Sequence, residues 1–225
     1  MNKLFKIINK YKKPRYSRGM TYVELIVVLS IFAVMTSVVL FNYGTFQATV
    51  DIKNLASDIA LNIVEAQKSS LSGLLPPPSQ QAQIDSTWKP SYGVYFSTAD
   101  NSIIDNKSFI YFADVGNATT PQNNLFDGTS CTGECLSRVD ITKGNYISDI
   151  SVFYKVGSAT GSITMVGYDL AVTFSRPNSS AIMKSNAGFF NGITPYITYV
   201  QITIASPQSV SATVKIYPSG RIQIN

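Results

Sequence analysis

An uninterrupted apolar run near the N-terminus constrains this chain more than any other feature. Residues 25–41 read LIVVLSIFAVMTSVVLF, without a charge and with only three hydroxyl side chains. In the longer stretch from Met20 to Tyr43, Glu24 is the only charged side chain. At about 1.5 Å per residue, a helix of that length crosses a bilayer core of about 30 Å. We therefore expect a membrane-spanning helix over residues 20–43.

The positive charge of the chain is concentrated just before that run. Seven of the 18 Lys and Arg residues, and none of the 13 Asp and Glu residues, lie within residues 1–19. The side chains of the remainder therefore sum to −2, although the whole chain carries +5. Because basic flanks stay in the cytoplasm, we expect a single pass with the N-terminus inside. The net positive charge is then explained by the orientation of the chain in the membrane. No nucleic-acid partner is therefore expected for the isolated protein.

Helical spacing continues after Gly44, but with polar residues mixed in. The pattern over residues 44–73 predicts an amphipathic helix with one face to bury. A single helix is expected from Met20 to Ser72, because Gly73 and three prolines at 76–78 then end it. The apolar stripe consists of Ile52, Leu55, Ile59, Ile63 and Ala66.

Beyond the prolines, the spacing of apolar residues changes from helical to alternating. Val, Ile, Thr and aromatic residues dominate, as strands prefer. Residues 114–137 and 176–195 predict loops, and Pro218-Ser219-Gly220 predicts a turn. The expected fold is α+β, with the long N-terminal helix packed on an antiparallel β-sheet domain over residues 74–225. Its expected strands are Tyr92–Phe96, Phe109–Phe112, Ile147–Val156, Leu170–Phe174, Tyr196–Ala205, Ser211–Tyr217 and Arg221–Asn225.

The composition excludes several classes of catalytic and metal site. The chain has no histidine and only two cysteines. Ser-His-Asp and Cys-His nucleophiles, His-ligated zinc and four-cysteine zinc sites are therefore ruled out. Asp and Glu residues remain, but no sequence motif identifies two of them as an acid–base pair. No enzymatic activity, cofactor or metal is expected.

The most informative motif joins the basic head to the apolar run. Here Arg18-Gly19 precedes Met20-Thr21-Tyr22-Val23-Glu24. A secretory signal instead has its cleavage site after an apolar region of about 7–15 residues. A charged group costs about 2.5–3.5 kcal/mol at the bilayer centre. Because the residues three and four positions from Glu24 are uncharged, any partner for it must come from elsewhere.

This junction resembles the class III signal of type IV prepilins and pseudopilins, although many members carry Phe where this chain has Met20. The resemblance implies that residues 1–19 are a leader, which a membrane-bound prepilin peptidase removes by cleaving between Gly19 and Met20. It also implies that the enzyme then methylates the new terminal amine of Met20. In the family, the acid matching Glu24 pairs with a terminal amine, commonly that of a neighbouring subunit. Such a pair neutralises two charges within an apolar helix bundle.

The β-rich part is similar to minor pseudopilins of the GspH/FimT type, through weaker cues. The resemblance implies a structural subunit of a type IV pilus or of a type II secretion-like pseudopilus. It would lie in the cytoplasmic (inner) membrane and then enter an extracytoplasmic filament, with prepilin peptidase, other pilin subunits and the inner-membrane assembly platform as partners. The cues are Ser57-Asp58, Glu65-Ala66, Gly93-Val94-Tyr95-Phe96, Phe174-Ser175-Arg176-Pro177-Asn178 and Pro218-Ser219-Gly220-Arg221-Ile222.

Two interpretations compete with a filament subunit. One is a simple N-terminal membrane anchor, in which Gly19 and Glu24 are incidental. The other is a membrane-anchored surface binding domain that never polymerises. The simple anchor predicts an unprocessed chain, whereas the family resemblance predicts the loss of residues 1–19 and the gain of one methyl group. Cleavage together with copurification with filaments distinguishes the binding domain from a filament subunit.

Cys131 and Cys135 are separated by three residues in a polar segment, CTGEC. Outside the membrane, a structural disulfide is expected. A redox-active pair is the alternative, but it would normally have the C-x-x-C spacing.

Oxygen-bearing side chains cluster in the predicted loop that follows residue 113. Such residues form ordinary turns, which is the expectation here. Calcium binding is the alternative, because calcium prefers oxygen ligands. The cluster consists of Asp114, Asn117, Asn123, Asn124 and Asp127.

Overall fold

A computed structural model describes residues 19–81, 84, 88–98, 104–116, 121–128, 131–165, 168–185 and 197–225. These residues divide into two compact units, with the boundary between Tyr43 and Gly44. The expected leader lies almost entirely outside the described residues. The elements are α1 (Tyr22–Ser72), α2 (Pro78–Gln81), β1 (Ser91–Ser97), β2 (Ser108–Ala113), β3 (Cys135–Asp140), β4 (Tyr146–Val156), β5 (Ala159–Thr164), β6 (Asp169–Ser175), β7 (Ala181–Lys184), β8 (Ile197–Ala205), β9 (Ser211–Ile216) and β10 (Ile222–Ile224).

The C-terminal end of α1 is set by Gly73, as expected. Gly73 adopts a φ of 69°, which glycine reaches without steric cost. Its N–H donates to Ser70 O (3.1 Å), and the N–H of Leu74 donates to Ser69 O (3.1 Å). This pair of bonds is the Schellman motif, which satisfies carbonyls that the helix leaves free.

The α+β class is confirmed, but the strands form two antiparallel sheets where one was expected. Sheet 1 has the order β3-β2-β1-β6-β7, and sheet 2 has the order β10-β9-β8-β4-β5. The turn at Pro218–Gly220 is confirmed, since the N–H of Gly220 donates to Tyr217 O at 2.8 Å. It connects β9 to β10 within sheet 2.

The buried stripe of α1 and both sheets contribute to one apolar core. Ile52, Ile59 and Ile63 of α1 are at most 1% exposed. They share a cluster with Val94 of sheet 1 and Ile202 of sheet 2. The helix therefore packs on the β-strands through the periodic apolar positions that its sequence marks.

The two sheets differ in how their outer faces are covered. Sheet 2 alternates buried and partly exposed residues along β8 and β9, so one of its faces meets solvent, as predicted. In sheet 1, β1 and β2 are buried at every position. Their second face packs in a smaller cluster that includes Tyr95, Phe112 and Phe126. This double burial explains the run of aromatic residues in β1 and β2.

Three strands were not predicted, and each of them lies at the edge of a sheet. Strands β3 and β7 border sheet 1, and β5 borders sheet 2. The loop predictions were therefore wrong over 135–137 and 181–184. β3 and β5 pair on one side only and retain exposed polar residues, so their sequences resemble those of loops. β7 has only four residues, too few to show an alternating pattern.

We predict that Gly93→Ala destabilises the protein, because a β-carbon there would lie 2.5 Å from Thr173 Cγ2 and 2.7 Å from Val172 O. The expected loss is about 1–3 kcal/mol in the free energy of unfolding. Urea unfolding of the full chain in detergent, followed by the fluorescence of the single tryptophan, Trp88, measures it. Gly44→Ala is the control, since nothing lies within 4 Å of that β-carbon position. An unchanged midpoint for Gly93→Ala would contradict this packing of β1 against β6.

Candidate functional site

Helix α1 begins at a side-chain cap within the predicted junction. The Oγ1 of Thr21 accepts a hydrogen bond from the N–H of Glu24 (3.2 Å). The carbonyl of Thr21 accepts from the N–H of Leu25 (3.1 Å). Thr at the N-cap with Glu three positions later is the spacing of a capping box. The T-x-x-E pattern is visible in the sequence and could have revealed this cap, which was not predicted.

The three residues on which the processing and assembly predictions depend are all exposed. Gly19 and Met20 precede the helix, and Glu24 lies in its first turn. An acidic group in the first turn is favoured by the helix dipole. Among the described residues, no Lys or Arg forms an ion pair with Glu24. The cap therefore accounts for the start of the helix but provides no cation for the carboxylate.

The segment that follows is suited to an apolar surrounding. Within the described part of the chain, α1 is the one helix long and apolar enough to cross a membrane. Its most apolar 18-residue window has a mean hydropathy of 2.6 and no buried residue. Every residue of this segment from Met20 to Tyr43 is exposed.

Three polar side chains of this segment, those of Ser30, Thr36 and Asn42, bond to the helix itself. Ser30 Oγ donates to Val27 O (2.8 Å). Thr36 Oγ1 donates to Phe32 O (2.8 Å). Groups satisfied in this way can lie in hydrocarbon, because they do not need water. Ser30 and Thr36 are thus compatible with a lipid environment.

A notch on the same segment contains small side chains between bulky ones. Ala33 and Ser37, four residues apart, line it together with Phe32 and Phe41. Small residues at this spacing allow another helix to approach closely in a membrane. The segment is therefore suited to an apolar surrounding in which another helix can approach it closely.

In the globular unit, Cys131 and Cys135 form a disulfide, with their Cα atoms 4.9 Å apart. The carbonyl groups of Gly133 and Cys135 both accept hydrogen bonds from Gln80 Nε2, at 2.7 and 3.0 Å. Gln80 belongs to α2 and is 5% exposed. Gln80, which lies two residues after the last of the three prolines, therefore anchors the loop that the disulfide closes.

Glu134, inside that ring, is a structural residue that the sequence did not reveal. Its Oε1 accepts from the N–H groups of Val115 (3.1 Å) and Gly116 (3.2 Å). Its Oε2 accepts from the N–H of Asp127 (3.0 Å). The carboxylate is 5% exposed, and burial raises its pKa although the three N–H donors oppose the rise. It thereby fixes both ends of the segment between β2 and the disulfide.

Asp114 lies beside Glu134 in the predicted oxygen-rich loop. It is fully buried, and its Oδ2 accepts from the N–H of Asn124 (2.7 Å), while its Oδ1 has no hydrogen-bond partner in the structure. Burial, with a smaller repulsion from Glu134, raises the pKa of Asp114 to about 7.

Asn124 Oδ1 accepts a hydrogen bond from Ser91 Oγ of β1 (3.3 Å). Asn123 and Asp127 instead take part in a local turn. Asn123 Oδ1 accepts from the N–H of Leu125 (2.7 Å), and its Nδ2 donates to Asp127 Oδ2 (2.9 Å). Asn117 lies outside the described residues. Among those that are described, no group of three or more Asp, Glu, Cys or His side chains is arranged to hold a metal.

Comparison with protein-family models, curated proteins and solved structures gave no match.

We predict that the protein becomes less stable as the pH rises from about 4 to about 7. The pKa of Asp114 is 3.8 before folding and about 7 in the fold, so the folded state binds this proton more tightly across that interval. Each pKa unit corresponds to about 1.4 kcal/mol, so the loss amounts to at most about 4 kcal/mol. The raised pKa of Glu134 acts in the same direction.

Urea unfolding of the full chain at a series of pH values measures this slope. Asp114→Asn should flatten it, because the amide oxygen can still accept from Asn124 and no longer titrates. Asp58→Asn, at an exposed position, is the matched control. A slope that Asp114→Asn leaves unchanged would show that Asp114 is not its source.

Proposed function

We propose that this chain is a type IV pilin-like subunit of a pilus or secretion pseudopilus. It is inserted in the cytoplasmic membrane through residues 20–43. Prepilin peptidase removes residues 1–19 and methylates Met20, and the mature chain enters a filament through α1. Its role is mechanical, with the helices packed at the centre of the filament and the β-rich unit facing outward.

The observation that carries this proposal is the position of Glu24. It lies in the first turn of a helix that continues with an exposed and largely apolar segment over residues 25–43. An isolated carboxylate at the edge of such a segment is costly to place in lipid. A positively charged amine from another copy would offset that cost, and cleavage after Gly19 creates such an amine at Met20. Cleavage would thus create the positive charge that assembly requires as a partner for Glu24.

The exposed apolar side chains support the same conclusion. Every large hydrophobic side chain from Leu25 to Tyr43 is at least 45% exposed. In lipid these side chains lie against hydrocarbon tails, and in a filament they lie against neighbouring helices. Because both surroundings are apolar, the gain on assembly comes from close packing and from the Glu24 pair.

We predict that Gly19→Leu blocks removal of the leader. The peptidase must approach the backbone at this position, and a bulky side chain obstructs it. Nothing lies within 4 Å of the β-carbon position of Gly19, so the substitution should leave the fold intact. Intact-mass measurement of membrane-purified protein should show the full precursor.

The controls for this experiment are the unaltered chain and Gly44→Ala, and both should lose residues 1–19 and gain one methyl group. If the unaltered chain keeps its leader and is absent from filaments, the non-polymerising anchored domain becomes the better interpretation. Normal cleavage of Gly19→Leu would contradict the assignment of the peptidase.

We predict that Glu24→Val allows processing but reduces entry into filaments by at least about tenfold, because the terminal amine of the neighbouring subunit loses its partner. The measurement is the amount of processed subunit that copurifies with sheared filaments. Glu24→Asp keeps the charge and should recover part of the loss. Normal incorporation of the valine variant would exclude an assembly role for this carboxylate.

A further inference from the structure

Strand β5 leaves one side of sheet 2 open. It comes last in the order β10-β9-β8-β4-β5, so no described strand pairs with its far side. All of its residues are exposed or half-buried. A sheet edge of this kind presents unpaired N–H and C=O groups, to which another strand can add. We call the side of Ala159–Thr164 that faces away from β4 the β5 edge.

The pairing with β4 determines which backbone groups lie on the β5 edge. The N–H of Met165 donates to Ile150 O (2.7 Å), so this pair is hydrogen-bonded. Hydrogen-bonded and non-hydrogen-bonded pairs alternate along an antiparallel ladder. The pairs that Thr160, Ser162 and Thr164 form with β4 are therefore of the second kind. Their N–H and C=O groups point to the β5 edge, where they bond to no described residue.

The other three edges of the two sheets carry features that hinder the addition of a strand. β3 carries Arg138 and Asp140, and its Cys135 carbonyl already accepts a hydrogen bond. β7 has four residues and ends at Lys184, and β10 has only three residues. β5 has six residues, ATGSIT, without a charge or a proline. Since charges, prolines and short length normally keep edges apart, β5 is the least protected edge among the described strands.

A second copy of β5, antiparallel to the first and centred on Ser162, fits this edge. The two Ser162 residues would lie opposite one another, and Thr160 of each copy would lie opposite Thr164 of the other. Because the groups on both edges point towards each other, each of these pairs can exchange both of its N–H···O=C bonds. The opposed side chains all carry hydroxyl groups, which pair favourably across strands, and no like charges meet.

The other face of β5 also fits a second copy. The Tyr154 ring lies over Gly161, where a β-carbon would be 2.5 Å from Tyr154 Cζ. Ile163 lies on the same face as Gly161, and both Ile163 and Tyr154 are half-buried. In the pairing centred on Ser162, Ile163 of one copy lies opposite Gly161 of the other, beside the Tyr154 ring. The contact thus covers apolar surface in both copies, and this match favours a second copy over an unrelated strand.

We propose that two copies of this chain associate through their β5 edges, as an antiparallel pair centred on Ser162 that joins the two copies of sheet 2 into one continuous sheet. Both copies use the same surface, so the contact closes on itself and yields a dimer. It involves strands of the globular unit and does not use α1. The inference therefore goes beyond the proposed function, because it applies whether or not the chain enters a filament.

Cross-linking of the full chain tests the centre of the pairing. The chain is expressed in cells without prepilin peptidase, so that it stays unprocessed, and is solubilised in detergent, so that its anchor can reorient. Ser162→Cys is treated with a short bifunctional maleimide, with which the disulfide-bonded native cysteines do not react. Because paired residues lie about 5.5 Å apart, the 162–162 dimer should exceed the dimer of Ser211→Cys, exposed on β9, by at least about fivefold. Equal yields would overturn the proposal.

Mixed cysteine variants test the register. Thr160→Cys and Thr164→Cys, carrying different tags, are mixed in detergent and cross-linked in the same way. The mixed 160–164 dimer should exceed both same-residue dimers by at least about threefold, because residues of the same number at these positions lie about 14 Å apart along the strands. An excess of the same-residue dimers would overturn the register.

A proline tests whether backbone hydrogen bonds hold the dimer. Ser162→Pro removes the N–H that faces the β5 edge and leaves the bonds to β4 in place. Copurification of differently tagged copies should fall by at least about fivefold, because both bonds of the central pair are lost. Ser162→Ala keeps the N–H and should change nothing, and urea unfolding followed by Trp88 fluorescence checks the fold of each variant. Unchanged copurification of folded Ser162→Pro would overturn the proposal.

Charges at the same position test self-pairing without altering the backbone. Two copies of Ser162→Lys should copurify about threefold less than unaltered copies, because like charges then lie opposite one another. A Ser162→Lys copy and a Ser162→Glu copy should associate at least as well as unaltered copies, since only a contact in which residue 162 meets itself is restored in this way. A mixed pair as weak as the two-lysine pair would overturn the proposal and favour a strand of another protein on this edge.

Discussion

The globular unit depends on one contact, the burial of a narrow stripe of α1 against strands from both sheets. Ile52, Ile59 and Ile63 are at most 1% exposed, and each fully buried isoleucine contributes about 1.5–3 kcal/mol. Ala56 and Ala66 on the same stripe are completely buried, and their small size lets strands approach the helix closely. Since residues from both sheets share this cluster with the helix, the core requires α1.

A helix held along one stripe must expose its other side. In the globular unit that side carries exposed leucines, two lysines and two acids, and none of these four charges is in an ion pair among the described residues. Such a surface is unusual for a chain that acts alone. In the N-terminal unit the helix exposes apolar residues all round. Under the proposed function, both surfaces become buried by the same event, the association of parallel helices in a filament.

The buried carboxylates help to order the loops beside sheet 1, which also contribute Phe126 to the smaller apolar cluster. Glu134 is stabilised by three backbone N–H donors, which offset much of the cost of its burial. At Asp114, burial outweighs the backbone N–H donors, and one carboxylate oxygen has no hydrogen-bond partner in the structure, so its pKa rises to about 7. The disulfide and Gln80 hold the backbone on which Glu134 is placed.

The sequence alone determined α1, its end at Gly73 and the inner strands of both sheets, because helical and alternating periodicities are local and follow directly from one-sided or two-sided burial. It also contained the junction at Gly19 and Glu24, on which the proposed function rests. Only the tertiary structure decided that the strands divide into two sheets, and that β3, β5 and β7 complete their edges. The pairing of β3 with β2, and the contacts of Glu134 with Val115 and Gly116, join residues at least 18 positions apart, and no local pattern encodes which backbone they will meet. β5 and β7 pair with their neighbours in sequence, β4 and β6, but they are short and bordered on one side only, so their sequences do not mark them as strands.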